Sequence, residues 1–236
     1  MTNYTGPDPA RIRTMFAAIA RRYDRANTVL SGGVHHLWRK RAVRAAQVQR
    51  GDRVLDCATG TGDLAIAFRK AGAEVVGTDF VPEMLELARV KAKDITFEVA
   101  DVTRLPYDDG SFDVSSISFG IRNVGEPRKG IAELARVVKS GGRVIVLEFG
   151  QPPGRFFGAL YDWYTRHLLP RIGGVLTGDR AAYAYLQKSA GRFPCGEEFA
   201  QLMRESGDFA EVTSMALTFG IAYLYRGVKR QVPYVP

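Results

Sequence analysis

At 236 residues with 46% hydrophobic content, the chain has enough apolar material to fill a full core, so a short disulfide- or metal-stapled scaffold is excluded as its architecture. Its two cysteines, Cys57 and Cys195, lack metal-ligand spacing and point to a reduced, cytoplasmic setting; Met1–Pro9 has no apolar leader pattern, and no apolar run reaches membrane-spanning length. A formal net charge of +8 calls for an acidic substrate, an anionic lipid surface or nucleic acid, and charge alone does not choose among them.

Residues 1–50 read as an N-terminal helical cap. They carry basic clusters at Arg11–Arg25 and at Arg39, Lys40, Arg41 and Arg44. Any one such cluster is most simply a solvated helix face, and no nucleic-acid reading module accompanies them.

Next comes the most informative stretch, Arg53–Ala65. A short apolar strand runs into a turn with two glycines, Gly60 and Gly62, and then into a helix. Glycines there let the backbone approach a ligand that a Cβ would exclude, beside a helix start with unsatisfied N–H groups. Taken literally, Gly60-x-Gly62-x-x-Ala65 with Asp79 further on fits a relaxed dinucleotide fingerprint. Asp56 at the strand end and Asp63 after the second glycine disfavour a pyrophosphate by like charge. A ligand with ribose hydroxyls, an ammonium and a sulfonium suits that acidic rim, so the loop reads as a site for S-adenosylmethionine. A ligand-free strand–turn–helix is the plainer alternative.

Glu74–Asp79 is a second strand ending in an acid. Pro82–Ala92 follows as a helix, with Met84, Leu85, Leu87 and Ala88 at helical spacing. Ile95–Asp101 predicts a third strand, placing Asp101 near the adenine. Ser111–Phe119 is the fourth, Pro127–Lys139 a helix and Gly141–Phe149 the fifth strand. This alternation predicts an α/β fold with a mostly parallel sheet flanked by helices and the site at the strands' carboxyl ends.

Residues 151–192 predict a helical insertion inside a single domain spanning 1–236. It holds Phe156, Phe157, Leu160, Tyr161, Trp163, Tyr164, Leu168 and Leu169, interleaved with Arg155, Arg166, Arg171 and Arg180. Such a pattern is often a helix packing on its own core. The alternative is a lid over a lipophilic acceptor or a membrane interface.

Four segments resemble the quinone-biosynthesis C-methyltransferases, which methylate the ring of demethylmenaquinol or of a polyprenyl methoxybenzoquinol. They are Tyr23–Lys40; Val54–Leu64; Ile117–Val124 continued through Leu134–Arg143 and Val146–Phe149; and a C-terminal set including Tyr185-Leu186, Arg192-Phe193-Pro194 and Leu217–Gly227. The resemblance implies a Rossmann-like class I methyltransferase fold with a central, mostly parallel seven-stranded sheet flanked by helices, and S-adenosylmethionine as co-substrate, with no metal. It implies donor contacts from Thr61, Asp79, Asp101, Val102 and Ser118, to which Asp56, Gly60, Gly62 and Phe80 are added. It makes Arg122, Asn123 and Tyr23 the candidates for holding the quinol hydroxyls, with His35, Phe119 and Tyr161 as further substrate contacts. Each has a plainer reading: Tyr23 as core, Arg122 paired with Asp113 or Glu148, His35 as a cap or packing residue.

The implied partners are a lipophilic quinol, an anionic membrane surface touched peripherally at its inner face, and a second copy or another quinone-pathway enzyme, with no nucleic acid. A nucleotide- or RNA-binding protein is the rival from another class. Departures from the family pattern include Thr28 where an acid is usual, Phe219 where relatives have glycine, Tyr225 where histidine is common, and Cys57-Ala58-Thr59 in the donor turn. They leave the donor turn intact and reshape the acceptor side.

Overall fold

The computed structural model describes Tyr4 and residues 6–231, apart from the side chains of Arg155, Phe156, Phe157 and Leu160. The single-domain and insertion readings extend to Met1–Asn3, Thr5, residues 232–236 and those four side chains, which lie outside the described part.

Seven strands form one sheet: β1 (Arg53–Cys57), β2 (Glu74–Asp79), β3 (Thr96–Val99), β4 (Phe112–Ser118), β5 (Val138–Phe149), β6 (Phe209–Leu217) and β7 (Ala222–Lys229), in the order β3-β2-β1-β4-β5-β7-β6. Only β7 runs against its neighbours, so the mostly parallel reading holds. The central strands are buried along nearly their whole length, as a sheet covered on both faces requires. Chain order reverses between β1 and β4, which places the crevice of an open α/β sheet at their carboxyl ends. There the register sets Cys57 level with Thr78 on one side and Ile117 on the other. The turn after β1, Asp79 and Ser118 therefore share one edge.

Helices α1 (Pro9–Leu30) and α2 (Val34–Ala46) precede the sheet; α3 (Asp63–Lys70), α4 (Pro82–Lys91) and α5 (Pro127–Arg136) connect its strands. After β5 come α6 (Arg155–Trp163), a π-helical turn (Tyr164–Leu168), α7 (Leu169–Thr177), α8 (Arg180–Ala190) and α9 (Glu197–Ser206). Asp8 caps α1, its carboxylate accepting from the Ala10 N–H at 3.2 Å. α1 does not stand alone: Ile19 and Ala26 bury against Leu169, Ala182 and Tyr183, so the N-terminal helix and the insertion make one helical roof over the sheet's carboxyl edge. No described helix is long and apolar enough to cross a membrane.

The α5–β5 junction and the ends of β3 differ from the sequence reading. α5 stops at Arg136 and β5 starts at Val138, where the periodicity suggested a helix to Lys139 and a strand from Gly141. The β-branched pair Val137-Val138 is wholly buried, and the Val137 carbonyl accepts from the Phe112 N–H at 3.0 Å, so sheet pairing outcompetes the helix there. β3 is trimmed to Thr96–Val99, because the Asp101 side chain closes its own turn by accepting from the Thr103 N–H and hydroxyl, each at 2.8 Å.

Candidate functional site

Two adjoining cavities at the carboxyl edge meet beside the turn after β4. The smaller, of about 180 Å³, is lined by Gly60, Asp79, Phe80, Asp101, Val102 and Ser118 among others. Gly60 has φ +57° and open space where a Cβ would sit, leaving room for a ligand against the backbone. Asp79 is buried, and its two oxygens accept from the Gly60 N–H at 2.8 Å and the Val81 N–H at 2.9 Å. Burial pushes its carboxyl up to about 6, against the pull of those N–H groups. Phe80, Val81, Met84 and Val102 supply an apolar slot next to this carboxylate. An acid for ribose hydroxyls beside a flat greasy slot for a base fits an adenosyl donor, and nothing in the lining offers the cation a pyrophosphate would want.

Three residues expected at the donor lie behind this cavity and do not line it. Asp56 is buried under the loop, accepting from the Ser116 and Thr59 hydroxyls at 2.6 Å each, and burial pushes it to about 6. Gly62, at φ +84°, starts α3 under the Phe97 ring. Thr61 donates its hydroxyl to Asp24 at 2.5 Å and accepts from Lys91 at 3.0 Å. Lys91 also pairs with Asp24 at 2.5 Å and Asp63 at 2.8 Å, so this cluster staples α1 to the donor loop. The staple joins residues 37 positions apart and left no local signal in the sequence.

The larger cavity, of about 460 Å³, is mostly apolar and is walled by α1, α2, the insertion and the sheet edge. Phe16, Tyr23 and Phe119 line both cavities and form their junction. Phe119 holds φ +55°, an uncommon conformation for a bulky residue, at the point where β4 leaves the sheet. Next to it a 3-10 turn, Ile121–Asn123, turns Arg122 toward the larger cavity and Asn123 toward the smaller. Tyr23 is enclosed, and burial raises its phenol pKa. Tyr161 also lines the larger cavity, with its phenol pushed up to about 12 by burial.

Arg122 is buried and paired with Glu148, one of the two acids the sequence offered; it also donates to the Phe119 carbonyl at 2.8 Å, while its Nε has no partner among the described residues. Asp113, the other acid, is tied to Lys139 at 2.6 Å at the amino end of β4. His35 lines the larger cavity, but both ring nitrogens are engaged. Arg39 donates to Nδ1, which puts the proton on Nε2, 3.3 Å from the Thr28 hydroxyl, itself donating to the Asp24 carbonyl at 2.9 Å. Burial lowers His35 to about 4, so it is a neutral wall residue near pH 7.

Some contributors escaped the sequence reading. Tyr185 lines the larger cavity and donates its phenol to Asn123 Oδ1 at 2.9 Å, and Tyr4 donates to the Arg122 carbonyl at 2.9 Å. Trp38 packs on Phe119 and Phe149 in the cavity wall. Tyr185 and Trp38 lay inside segments of the family resemblance, but nothing in their spacing told a site residue from a packed one.

The arrangement thus joins an acid-lined adenosyl slot to an enclosed apolar cavity, with an arginine and an asparagine between them. Comparison with known proteins agrees. A profile of the ubiE/COQ5 methyltransferase family matches residues 5–229. The ubiquinone/menaquinone biosynthesis C-methyltransferase UbiE of Bdellovibrio bacteriovorus is 57% identical over 234 residues, covering 96% of this chain and 99% of that protein. The demethylmenaquinone methyltransferase of Deinococcus radiodurans is 47% identical over 225 residues, covering 93% and 92%. Among solved structures, a Thermotoga maritima S-adenosylmethionine-dependent methyltransferase, described as a possible histamine N-methyltransferase, superposes with a TM-score of 0.65 at 21% identity, covering 92% of this chain and 99% of that one. At that identity the likeness speaks for the fold alone.

Proposed function

From the premise that the chain belongs to the ubiE/COQ5 methyltransferase family, we propose that it methylates a ring carbon of demethylmenaquinol, using S-adenosylmethionine bound in the smaller cavity and the quinol in the larger. The observation that carries this reading is the junction at Tyr23 and Phe119, where the two cavities share walls beside Arg122 and Asn123.

When bound, the donor supplies an electrophilic methyl on a sulfonium. The chain's own residues have three tasks. Asp79 would hold the donor by accepting from its ribose hydroxyls, with Phe80 and Val102 lining the apolar slot that would take its base. The apolar wall of Phe16, Ile19, Trp38 and Phe149 keeps water from the ring, which favours a reaction in which a phenolate and a sulfonium neutralise each other. Arg122 and Asn123 address the quinol oxygen. Arg122 lines the larger cavity, and a cation there stabilises the phenolate that makes the adjacent carbon nucleophilic. Tyr23, at the junction, orients the ring toward the methyl. His35 is not the base, since both of its nitrogens are engaged.

A second reading, methylation of a polyprenyl methoxybenzoquinol, is favoured by the Bdellovibrio relative, whose name covers both quinones. The test is transfer of labelled methyl from S-adenosylmethionine to reduced demethylmenaquinol and, in parallel, to the reduced benzoquinol, with wild type and Arg122→Ala. Turnover of the naphthoquinol, lost in the variant while donor affinity persists, is the expected result. Turnover of the benzoquinol alone replaces the first reading by the second, and absence of donor binding removes both.

A further inference from the structure

The turn that carries Arg122 and Asn123 is too short to satisfy its own backbone. Within it the Asn123 N–H donates to the Gly120 carbonyl at 2.9 Å and the Val124 N–H to the Ile121 carbonyl at 3.2 Å, and there the helical pattern ends. The carbonyls of Arg122 and Gly125 need donors from elsewhere in the chain. A segment ahead of α1 supplies both. The Tyr4 phenol donates to the Arg122 carbonyl at 2.9 Å across 118 positions, and the Gly6 N–H donates to the Gly125 carbonyl at 2.9 Å.

The seat of this segment is shaped to it. A Cβ on Gly6 would stand 1.8 Å from the Val124 carbonyl oxygen and 2.9 Å from the Gly125 Cα, both backbone atoms that no rotamer change can move aside. Gly6 does not have a positive φ, so close approach, not a left-handed conformation, is what excludes a side chain there. Pro7 and Pro9 stiffen the stretch that follows, and Asp8 caps α1 between them. Ahead of Gly6 the Tyr4 ring stands edge-on to the buried Phe193 ring, with centroids 5.0 Å apart and planes at 86°. Burial raises the Tyr4 phenol pKa, so it remains a donor throughout the neutral range. Beyond the turn, Pro9 lines the smaller cavity together with Asn123, Val124, Gly125 and Glu126.

The turn is thereby held from three sides. Glu148 pairs with Arg122 from the sheet, and Tyr185 donates to the Asn123 side chain from the roof. Tyr4 and Gly6 hold its main-chain carbonyls. A displacement of the turn moves Arg122 at the larger cavity and Asn123 at the smaller together, and misplacement on the scale of 1 Å costs on the order of a hundredfold in rate.

We propose that Tyr4 and residues 6–9 form a strap that sets the Arg122–Asn123 turn against both cavities, with Tyr4 and Gly6 as positioning residues for methyl transfer. Its effect on the acceptor step rests on the quinol reading, whereas its hold on the wall of the donor cavity does not.

The test uses the full chain as wild type, Tyr4→Phe, Gly6→Ala and the double variant. Donor affinity is measured by calorimetry, kcat and acceptor KM with a reduced, water-soluble short-chain quinol, and unfolding temperature by a thermal melt. Tyr4→Phe keeps the ring on Phe193 and removes one hydrogen bond, so kcat should fall about threefold to tenfold, with the melt nearly unchanged and donor affinity changed less than kcat. Gly6→Ala lifts the strap off the Val124–Gly125 backbone, so kcat should fall about tenfold or more, and donor affinity should weaken as the Pro9 wall shifts. If the two residues act through one strap, the double variant should be no slower than Gly6→Ala alone. A lowered melting temperature with kcat and donor affinity kept would show a segment that only packs, and would overturn the proposal. Losses that multiply in the double variant would overturn it too. Should Gly6→Ala fail to fold, kcat of Tyr4→Phe decides by itself. If no quinol is methylated but Gly6→Ala still weakens donor binding, the strap stands and the quinol reading alone falls.

Discussion

Glu148 holds Arg122 from two sides, pairing with its Nη1 and accepting from its backbone N–H at 3.3 Å, so the guanidinium enters the cavity wall already fixed. Both side chains are buried, and Glu148 Oε1 also accepts from the Phe149 N–H at 2.8 Å. Removing one partner of such a pair strands the other charge and costs about 3–5 kcal/mol. In a chain of this size that lowers the unfolding temperature by roughly 10 °C for Glu148→Ala. The double change Arg122→Met/Glu148→Leu removes both charges and should regain most of the loss in a thermal melt. It should still transfer no methyl, which separates the pair's structural contribution from its catalytic one.

The second arrangement to probe is the bond from Tyr185 to Asn123 Oδ1. With its oxygen occupied, the Asn123 amide keeps its NH2 for another acceptor; the Phe119 carbonyl, 3.5 Å away, is a weak one. Tyr185→Phe frees the amide to rotate. A hydrogen bond of this kind is worth about 0.5–1.5 kcal/mol, so kcat should fall about threefold to tenfold. Donor affinity, measured by calorimetry, should change less than kcat, because Tyr185 does not line the donor cavity and reaches it only through Asn123.

His35 gives a negative prediction with a clear readout. Arg39 and burial hold the imidazole neutral, with its titration near 4. The rate profile between pH 6 and 8 should therefore have the same shape in wild type and His35→Gln, even if the variant is slower. A titration near 6.5 that vanishes in the variant would make His35 a proton carrier.

The legible parts of this chain were those written locally. The turn after β1, the acid ending β2 and the alternation of strands and helices each occupy a handful of consecutive residues, and pattern alone placed them. Residues whose roles depend on register were less legible. Asp113 and Glu148 were equal partners for Arg122 on paper; the sheet decides between them by sending Asp113 to the amino end of β4 and Glu148 to the carboxyl end of β5. Thr61 is a donor contact only by the family resemblance, and in the structure Asp24 and Lys91 engage its hydroxyl from other helices. The start of β5 is not legible locally, because Val137-Val138 suits either a helix end or a strand and the pairing with Phe112 decides it.

Two carboxylates, Asp56 and Asp79, are buried at the donor end of the sheet. Burial raises both Asp56 and Asp79 to about 6 from an ordinary value of 3.8. Each therefore binds its proton more tightly in the folded than in the unfolded chain. Stability from this source is fully present below about pH 4 and is lost as pH rises through about 6, by roughly 3 kcal/mol per carboxylate. Asp63, Asp113 and Glu133 are held low and act oppositely: their stability is present above the unfolded pKa and disappears only in stronger acid. The unfolding free energy by urea titration should accordingly decline between pH 4 and 6, and Asp79→Asn should flatten that decline by about half. Donor affinity should run the other way. Ribose hydroxyls need the ionised Asp79 as acceptor, so binding should weaken as pH falls below about 6 in wild type and show no such step in Asp79→Asn. A donor affinity constant from pH 5 to 8 in wild type would mean that Asp79 does not hold the ribose.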